Sequence, residues 1–207
     1  DRGEVLIDGA SMSTASGPQL YALRRDFGMS FQEGALFDSM SVFDNIAFPL
    51  REHGAWAKDR IREAVAEKLA LVRLSGIEER FPAALSGGMK KRVALARSLA
   101  LDPEVLLFDE PTTGLDPVTS ATIGELIRNS QKTLNVTSIV VTHDLALARR
   151  VGDRVAYLEG GRFRFIGSWE NADRSTDAAF RGFVGGCVPD RDSGMALWRI
   201  PDRPVAL

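Results

Sequence analysis

The sequence predicts an α/β domain built on a mostly parallel sheet. Three observations carry this reading. Val105-Leu106-Leu107-Phe108 is a continuous apolar run of strand length, and Ser138 to Thr142 is a second strand of the same kind; such runs fit strands buried on both faces. Ile61, Val65, Leu69 and Val72 recur at i, i+4, i+8 and i+11, which is one face of a helix. Helical and strand stretches then alternate along the chain. The 207 residues suit one large domain, or one domain with a small insertion. A chain of this size buries roughly 70% of its unfolded surface and needs no staple. Cys187 is the single cysteine, so neither an internal disulfide nor a thiolate metal cage is expected. The 26 Lys+Arg against 28 Asp+Glu leave a net charge of −2, which argues against a large nucleic-acid footprint. No apolar run approaches the roughly 18 residues of a membrane span. The polar opening Asp1-Arg2-Gly3-Glu4 is not a signal-peptide pattern.

Taken in order, Val5-Leu6-Ile7 reads as a strand closing at Asp8-Gly9, a pair that tolerates positive φ. Residues 10–20 are small and polar, a loop or a weak helix start. Tyr21 to Arg25 is a short helix, and Phe27 to Phe31 a strand that stops at Gln32. Residues 33–50 are rich in loop, anchored by Leu36, Phe37, Phe43 and Phe48. A helix runs from Trp56 to Leu74 and ends at Gly76. A second spans 87–101 and stops before Pro103. Beyond the apolar strand at 105–108 lie a helix from Ala121 to Lys132, the strand 138–142 and a short helix from Leu145 to Arg150. Glu159-Gly160-Gly161 separates Val155–Leu158 from Arg162–Ile166, a hairpin signal. Pro189, Pro201 and Pro204 mark residues 187–207 as an extended tail outside the core. His53 falls in a polar loop and reads as surface.

Three local signals bear on chemistry. Leu85-Ser86-Gly87-Gly88-Met89 opens a helix, with Ser86 a good N-cap and two glycines that admit close approach to the backbone. Free N–H groups there suit an anion, although an ordinary capped helix start uses the same residues. Asp109 and Glu110 follow an apolar strand, at the edge where open α/β sheets bind ligands. An Asp there suits Mg²⁺ and a Glu suits a water to be deprotonated, although solvated acids at strand ends are common. His143 follows the apolar Ile139-Val140-Val141; it suits a phosphate contact, although a lone histidine is more often structural.

In order, Gln32 after a strand, LSGGM at 85–89, LLFDEP at 106–111, Gly114-Leu115-Asp116 and Val141-Thr142-His143-Asp144 resemble the ATP-binding-cassette (ABC) ATPases from Gly3 to about Gly167. The resemblance implies a P-loop NTPase-like (RecA-like) sheet over residues 1–167. A helical subdomain at about 33–100 would touch a permease, and a helical segment would follow at 168–186. It implies ATP and Mg²⁺, with Asp109 and Gln32 at the metal, Glu110 as catalytic base and His143 near the γ-phosphate. Ser86, Gly87, Gly88 and Met89 would form the signature that clamps ATP held by a second ATPase subunit, and Asp116 would lie in the D-loop that links the two sites. Met89 stands where the family usually has Gln, so one polar contact would be lost.

A larger departure is the lack of G-x-x-x-x-G-K-[ST]: none of Lys58, Lys68, Lys90, Lys91 and Lys132 follows a glycine. The resemblance therefore implies a cassette lacking its first strand, P-loop and first helix, with an apolar slot in the sheet and no ATP turnover by this chain alone. Residues 28–37, 41–46 and 48–53 are similar to the ATPases of Mla/Mce-type phospholipid transporters. That branch implies a homodimer at the cytoplasmic face of the inner membrane beneath a multispanning permease, with STAS-domain and Mce proteins as partners and no nucleic acid. Competing readings are a non-catalytic module that donates its signature face or docks a permease, an ABC importer ATPase for another substrate, and a soluble ABC protein of translation or DNA repair. The last carries tandem cassettes or a long coiled coil, and neither pattern occurs here.

Overall fold

A computed structural model describes residues 3–7, 9–53, 56–185 and, for the backbone, 194–199. Strands β1 (Leu6–Ile7) and β2 (Ala10–Ser11) form a small antiparallel ribbon. Helix α1 (Gly17–Arg25) starts earlier than Tyr21 because Ser16 and Gln19 make a capping box and Pro18 suits the first turn. It leads into β3 (Phe27–Ser30).

Most of residues 33–50, expected as loop, divides into a loop and helix α2 (Val42–Glu52). Ser41 caps α2 by accepting from Asp44 N, and buried Asn45 ties the preceding loop by bonds to Phe37 N, Phe37 O, Met40 O and Ser41 O. Pro49 inside α2 masks the helical pattern in the sequence. Helices α3 (Lys58–Leu71) and α4 (Gly87–Ser98) pack against α2 and each other through Ile46, Leu50, Val65, Leu69 and Val93.

The remaining elements are β4 (Val105–Asp109), α5 (Pro117–Leu134), β5 (Thr137–Thr142), α6 (Leu145–Val151), β6 (Arg154–Glu159), β7 (Arg162–Ser168), α7 (Trp169–Asp173), α8 (Ala178–Val184) and β8 (Gly194–Arg199). The main sheet has the order β3-β4-β5-β8-β6-β7. The first three strands are parallel, β8 runs antiparallel to both its neighbours, and β6 and β7 are an antiparallel hairpin.

Two expectations change here. The segment 187–207, expected outside the core, contributes residues 194–199 to the sheet between β5 and β6, so the sheet is continuous and the expected slot is not seen. Pairing with two neighbours satisfies the backbone of that segment on both edges, which proline content nearby does not reveal. The rest of it, Cys187 included, lies outside the described residues. The apolar runs of β4 and β5 are also not sealed on both faces. Leu106, Phe108 and Val140 are buried under helices, whereas Met29, Ile139 and Val141 on the other face are 41%, 36% and 41% exposed. An apolar run reports affinity for cover, not which side receives it.

Candidate functional site

The carboxyl ends of β3, β4 and β5 meet at one edge of the sheet, because the parallel register sets Ser30 beside Phe108 and Asp109 beside Val141. Asp109 ends β4. Glu110 follows it with φ 44°, a left-handed conformation rare for a residue with a side chain. That turn is held by the bond from Glu110 N to Val141 O at 2.9 Å. It aims the carboxylate across β5 instead of along β4.

There the carboxylate is enclosed by donors. Its Oε1 accepts from His143 N at 3.0 Å and from His143 Nδ1 at 2.8 Å; its Oε2 accepts from Thr113 Oγ1 at 3.0 Å and Thr142 Oγ1 at 3.3 Å. An ionised carboxylate only accepts, so the Nδ1 of His143 carries the proton in this pair. The Glu110 side chain is 19% exposed and that of His143 64%, leaving the ring's far side open to solvent. Asp144 caps α6 through Ala146 N and Leu147 N and receives Thr112 Oγ1, which fixes the loop just past His143. An open cleft of about 560 Å³ lies beside His143 and Asp144, walled by Thr112, Gly114 and Arg150.

Gln32 stands exposed two residues past β3, at the same edge. Its backbone carbonyl accepts from Lys91 Nζ, and the same ammonium lies 3.5 Å from the Glu110 carbonyl. Gln32, Asp109, Glu110 and His143 are thus brought to one place. Lys91 and the two threonines belong there too. The sequence assigned none of them a role, although Thr142 lies within the Val141-to-Asp144 motif and a basic pair directly after LSGGM on a helix was a visible signal for Lys91.

The LSGGM segment forms a separate region. Ser86 caps α4 by accepting from Met89 N at 3.3 Å. Gly88 is buried, and a Cβ there would stand 2.6 Å from Thr119 Cγ2; one on Gly87 would stand 3.6 Å from Leu115 Cδ2. The helix start therefore packs on the beginning of α5. Asp116 caps α5, accepting from Val118 N and Thr119 N at 3.0 Å and from Thr119 Oγ1 at 2.5 Å. The Thr119 hydroxyl, then the backbone amides, hold the Asp116 carboxyl below its usual range. So Ser86–Met89 and Asp116 adjoin each other, and their bonds do not run to Glu110.

The aromatic anchors also divide. Leu36 and Phe43 pack against the core. Phe37, 41% exposed, meets Phe48 at 5.0 Å between ring centroids, and both line an open groove of about 440 Å³ with Met29 and Phe31. Arg24, Arg97 and His53 border it. His53, expected as plain surface, closes α2 and stacks on Tyr21 at 4.8 Å.

A mostly parallel sheet with an acid pair and a histidine at its carboxyl edge, beside a glycine-opened helix, defines a nucleotide-triphosphatase-like cassette. The chain belongs to the ABC transporter family, whose model matches residues 1–113. It is 44% identical over 186 residues to the "Probable ribonucleotide transport ATP-binding protein mkl" of Mycobacterium tuberculosis, covering 90% of this chain and 52% of that protein. It is 39% identical to the "Intermembrane phospholipid transport system ATP-binding protein MlaF" of Escherichia coli, covering 90% of this chain and 69% of that one. Among solved structures, cbiO1 from Clostridium perfringens, part of the ABC transporter complex cbiONQ, aligns with a TM-score of 0.76 at 30% identity, over 88% of this chain and 72% of that one. The dimeric ATP-binding cassette MJ0796 bound to ADP and Pi aligns with a TM-score of 0.73 at 33% identity, over 81% and 73%. The chain spans about half the length of the Mkl relatives it matches. Among the described residues, no helix is long and apolar enough to cross a membrane.

Proposed function

We propose that these residues belong to the ATP-hydrolysing subunit of an ABC transporter that moves phospholipid or another lipid with an Mce-type system. The observation that carries this reading is the Glu110 carboxylate, turned out of its strand and fastened to His143. Glu110 would take the proton of the attacking water. Its hydrogen bonds orient the carboxylate before any substrate arrives. His143, with Nδ1 committed to Glu110, presents Nε2 to the γ-phosphate, where it donates only as the imidazolium.

Among the described residues, no cluster of three or more His, Cys, Asp or Glu side chains forms a metal cage. That fits Mg²⁺, which is held by one or two protein oxygens plus phosphate and water. Asp109 and Gln32 would supply them, and the ion would neutralise charge developing on the transferred phosphoryl group. Ser86, Gly87, Gly88 and Met89 would face ATP held by a second subunit, with Asp116 at the link between sites. The groove at Phe37 and Phe48 would receive the permease, at the cytoplasmic face of the inner membrane, with STAS-domain and Mce proteins as further partners. In a cassette that carries these residues together with a G-x-x-x-x-G-K-[ST] segment, Glu110→Gln should lower steady-state phosphate release by about 10²–10⁴-fold. A loss of less than threefold would remove Glu110 from the role of base.

A second reading rests on the absence of G-x-x-x-x-G-K-[ST] from the 207 residues, while the Ser86 cap and Gly88 packing are intact. This chain by itself would then neither bind nor hydrolyse ATP, but would donate Ser86–Gly88 to an intact cassette. Purified chain should show no turnover above background. Turnover that Glu110→Gln abolishes would overturn that expectation. Added to an intact cassette whose own signature serine is replaced, the chain should restore hydrolysis.

A further inference from the structure

Helix α4 reaches the acid edge through two long cations to which the catalytic reading assigns no role. Lys91, two residues past Met89, donates from Nζ to the Gln32 carbonyl and approaches the Glu110 carbonyl at 3.5 Å. Further along the helix, Arg97 donates from Nη2 to Gly34 O and from Nη1 to Ala35 O, each at 2.8 Å. Three carbonyls of the short loop after β3 are therefore held by side chains of one helix. The loop needs such support. Gly34 and Ala35 sit at φ 76° and 46°, and for alanine that conformation is unfavourable unless the surroundings impose it. Glu110, the other end of the Lys91 contact, is left-handed as well. The loop also lies against the helix: a Cβ on Gly34 would stand 3.3 Å from Ala94 Cβ.

Lys91 is poorly placed as a mere surface charge. It is half-buried, and burial pushes its ammonium below the usual lysine range while the carboxylates of Glu33, Glu110 and Asp109 push it back up. A lysine kept for packing alone would aim its ammonium to water and lay its stem on the helix. This one spends its charge on two backbone carbonyls of two different segments.

We propose that Lys91 is a positioning residue, the tether that makes the loop bearing Gln32 and the turn bearing Glu110 travel with helix α4. Any rotation of α4 would then shift Gln32 and Glu110 together, so the helix that opens with Ser86 sets the geometry of the acid edge. The proposal rests on the reading of Gln32 and Glu110 as catalytic groups, yet its test reads the tether directly and does not depend on ATP being hydrolysed.

The experiment is residue-resolved hydrogen exchange on the 207-residue chain and on its Lys91→Met and Lys91→Arg variants. The reporter is the Gly34 amide, which donates to Phe31 O; the control is the Val42 amide, which donates to Arg80 O. In Lys91→Met, exchange at Gly34 should rise by about tenfold to a hundredfold, the scale of one lost charge-assisted bond, with Val42 unchanged. Lys91→Arg, which keeps the cation, should restore most of the protection. Gly34 exchange within twofold of the parent in Lys91→Met overturns the tether. So does an equal rise at Val42, which would mean general loosening. Should Lys91→Met not fold, Lys91→Gln, too short to reach the Gln32 carbonyl, carries the same comparison.

Discussion

Glu110 is held by donors from two segments of chain, its own turn at Thr113 and the end of β5 at Thr142 and His143, more than thirty residues away. Ser86 is held by a donor three residues away, on its own helix. The two regions sit at the opposite limits of how a site is fastened. The acid edge exists only when β3, β4 and β5 pair in register and α4 lies across them. The LSGGM turn is a local cap that any helix start could make, and tertiary structure adds only the cover of Leu115 and Thr119. Damage to the first should therefore spread, and damage to the second should reach the acid edge only as far as it moves α4 and its Lys91 contact.

Four substitutions or conditions sharpen that contrast. The largest expected effect is at Gly28, which has no part in chemistry. A Cβ there would stand 2.1 Å from the Ser98 carbonyl oxygen, a backbone atom that cannot move aside. Gly28→Ala should lower unfolding stability by about 3 kcal/mol or more, read from the denaturant midpoint, and should perturb His143 resonances at the far end of the sheet. Gly88→Ala meets Thr119 Cγ2 at 2.6 Å, a branched side chain that yields partly, so a cost of about 1–2 kcal/mol is expected. In Gly88→Ala the resonances of His143 should move less than in Gly28→Ala, because only the Lys91 contact carries the disturbance from α4 to Glu110; if they shift as far, the two regions are not separate. Ser86→Ala removes one cap and should cost about 1 kcal/mol, with increased exchange confined to the first turn of α4.

The smallest effect is with pH. The Asp116 carboxyl is held below its usual range chiefly by the Thr119 hydroxyl. A lowered folded value means that its stabilisation is present above the unfolded value, 3.8, and is lost as pH falls through the folded one. Thermal midpoints should therefore fall below about pH 4, and Asp116→Asn should flatten that slope slightly without touching the acid edge.

Much of the architecture was legible in the chain. The i, i+4, i+8, i+11 pattern of Ile61, Val65, Leu69 and Val72 places α3 because burial of one stripe needs that spacing. The runs at β4 and β5 are short and apolar, and that of β5 is β-branched, which leaves few alternatives to a central strand. Helix α2 was not legible, since Pro49 interrupts its pattern, and its loop depends on Asn45 making bonds that only the folded loop supplies. Of the candidate site, Gln32, Asp109, Glu110 and His143 stood out as polar residues at the ends of apolar strands. Thr142, Lys91 and Arg97 did not, because each acts across a contact between segments far apart in sequence; nor did Thr113, which bonds Glu110 within one irregular turn.

The sequence by itself determined which residues end the strands, which open the helices and which family they join. These are local matters of residue type, spacing and capping. Only the tertiary structure decided where those residues point. The left-handed turn at Glu110 is imposed by pairing with Val141, and the exposed face at Met29, Ile139 and Val141 by where the helices pack. The place of Gly194–Arg199 between β5 and β6 is set by backbone bonds to both neighbours. The apolar run Met195 to Trp198 is compatible with a strand, but which neighbours it pairs with is set by backbone groups that every residue carries.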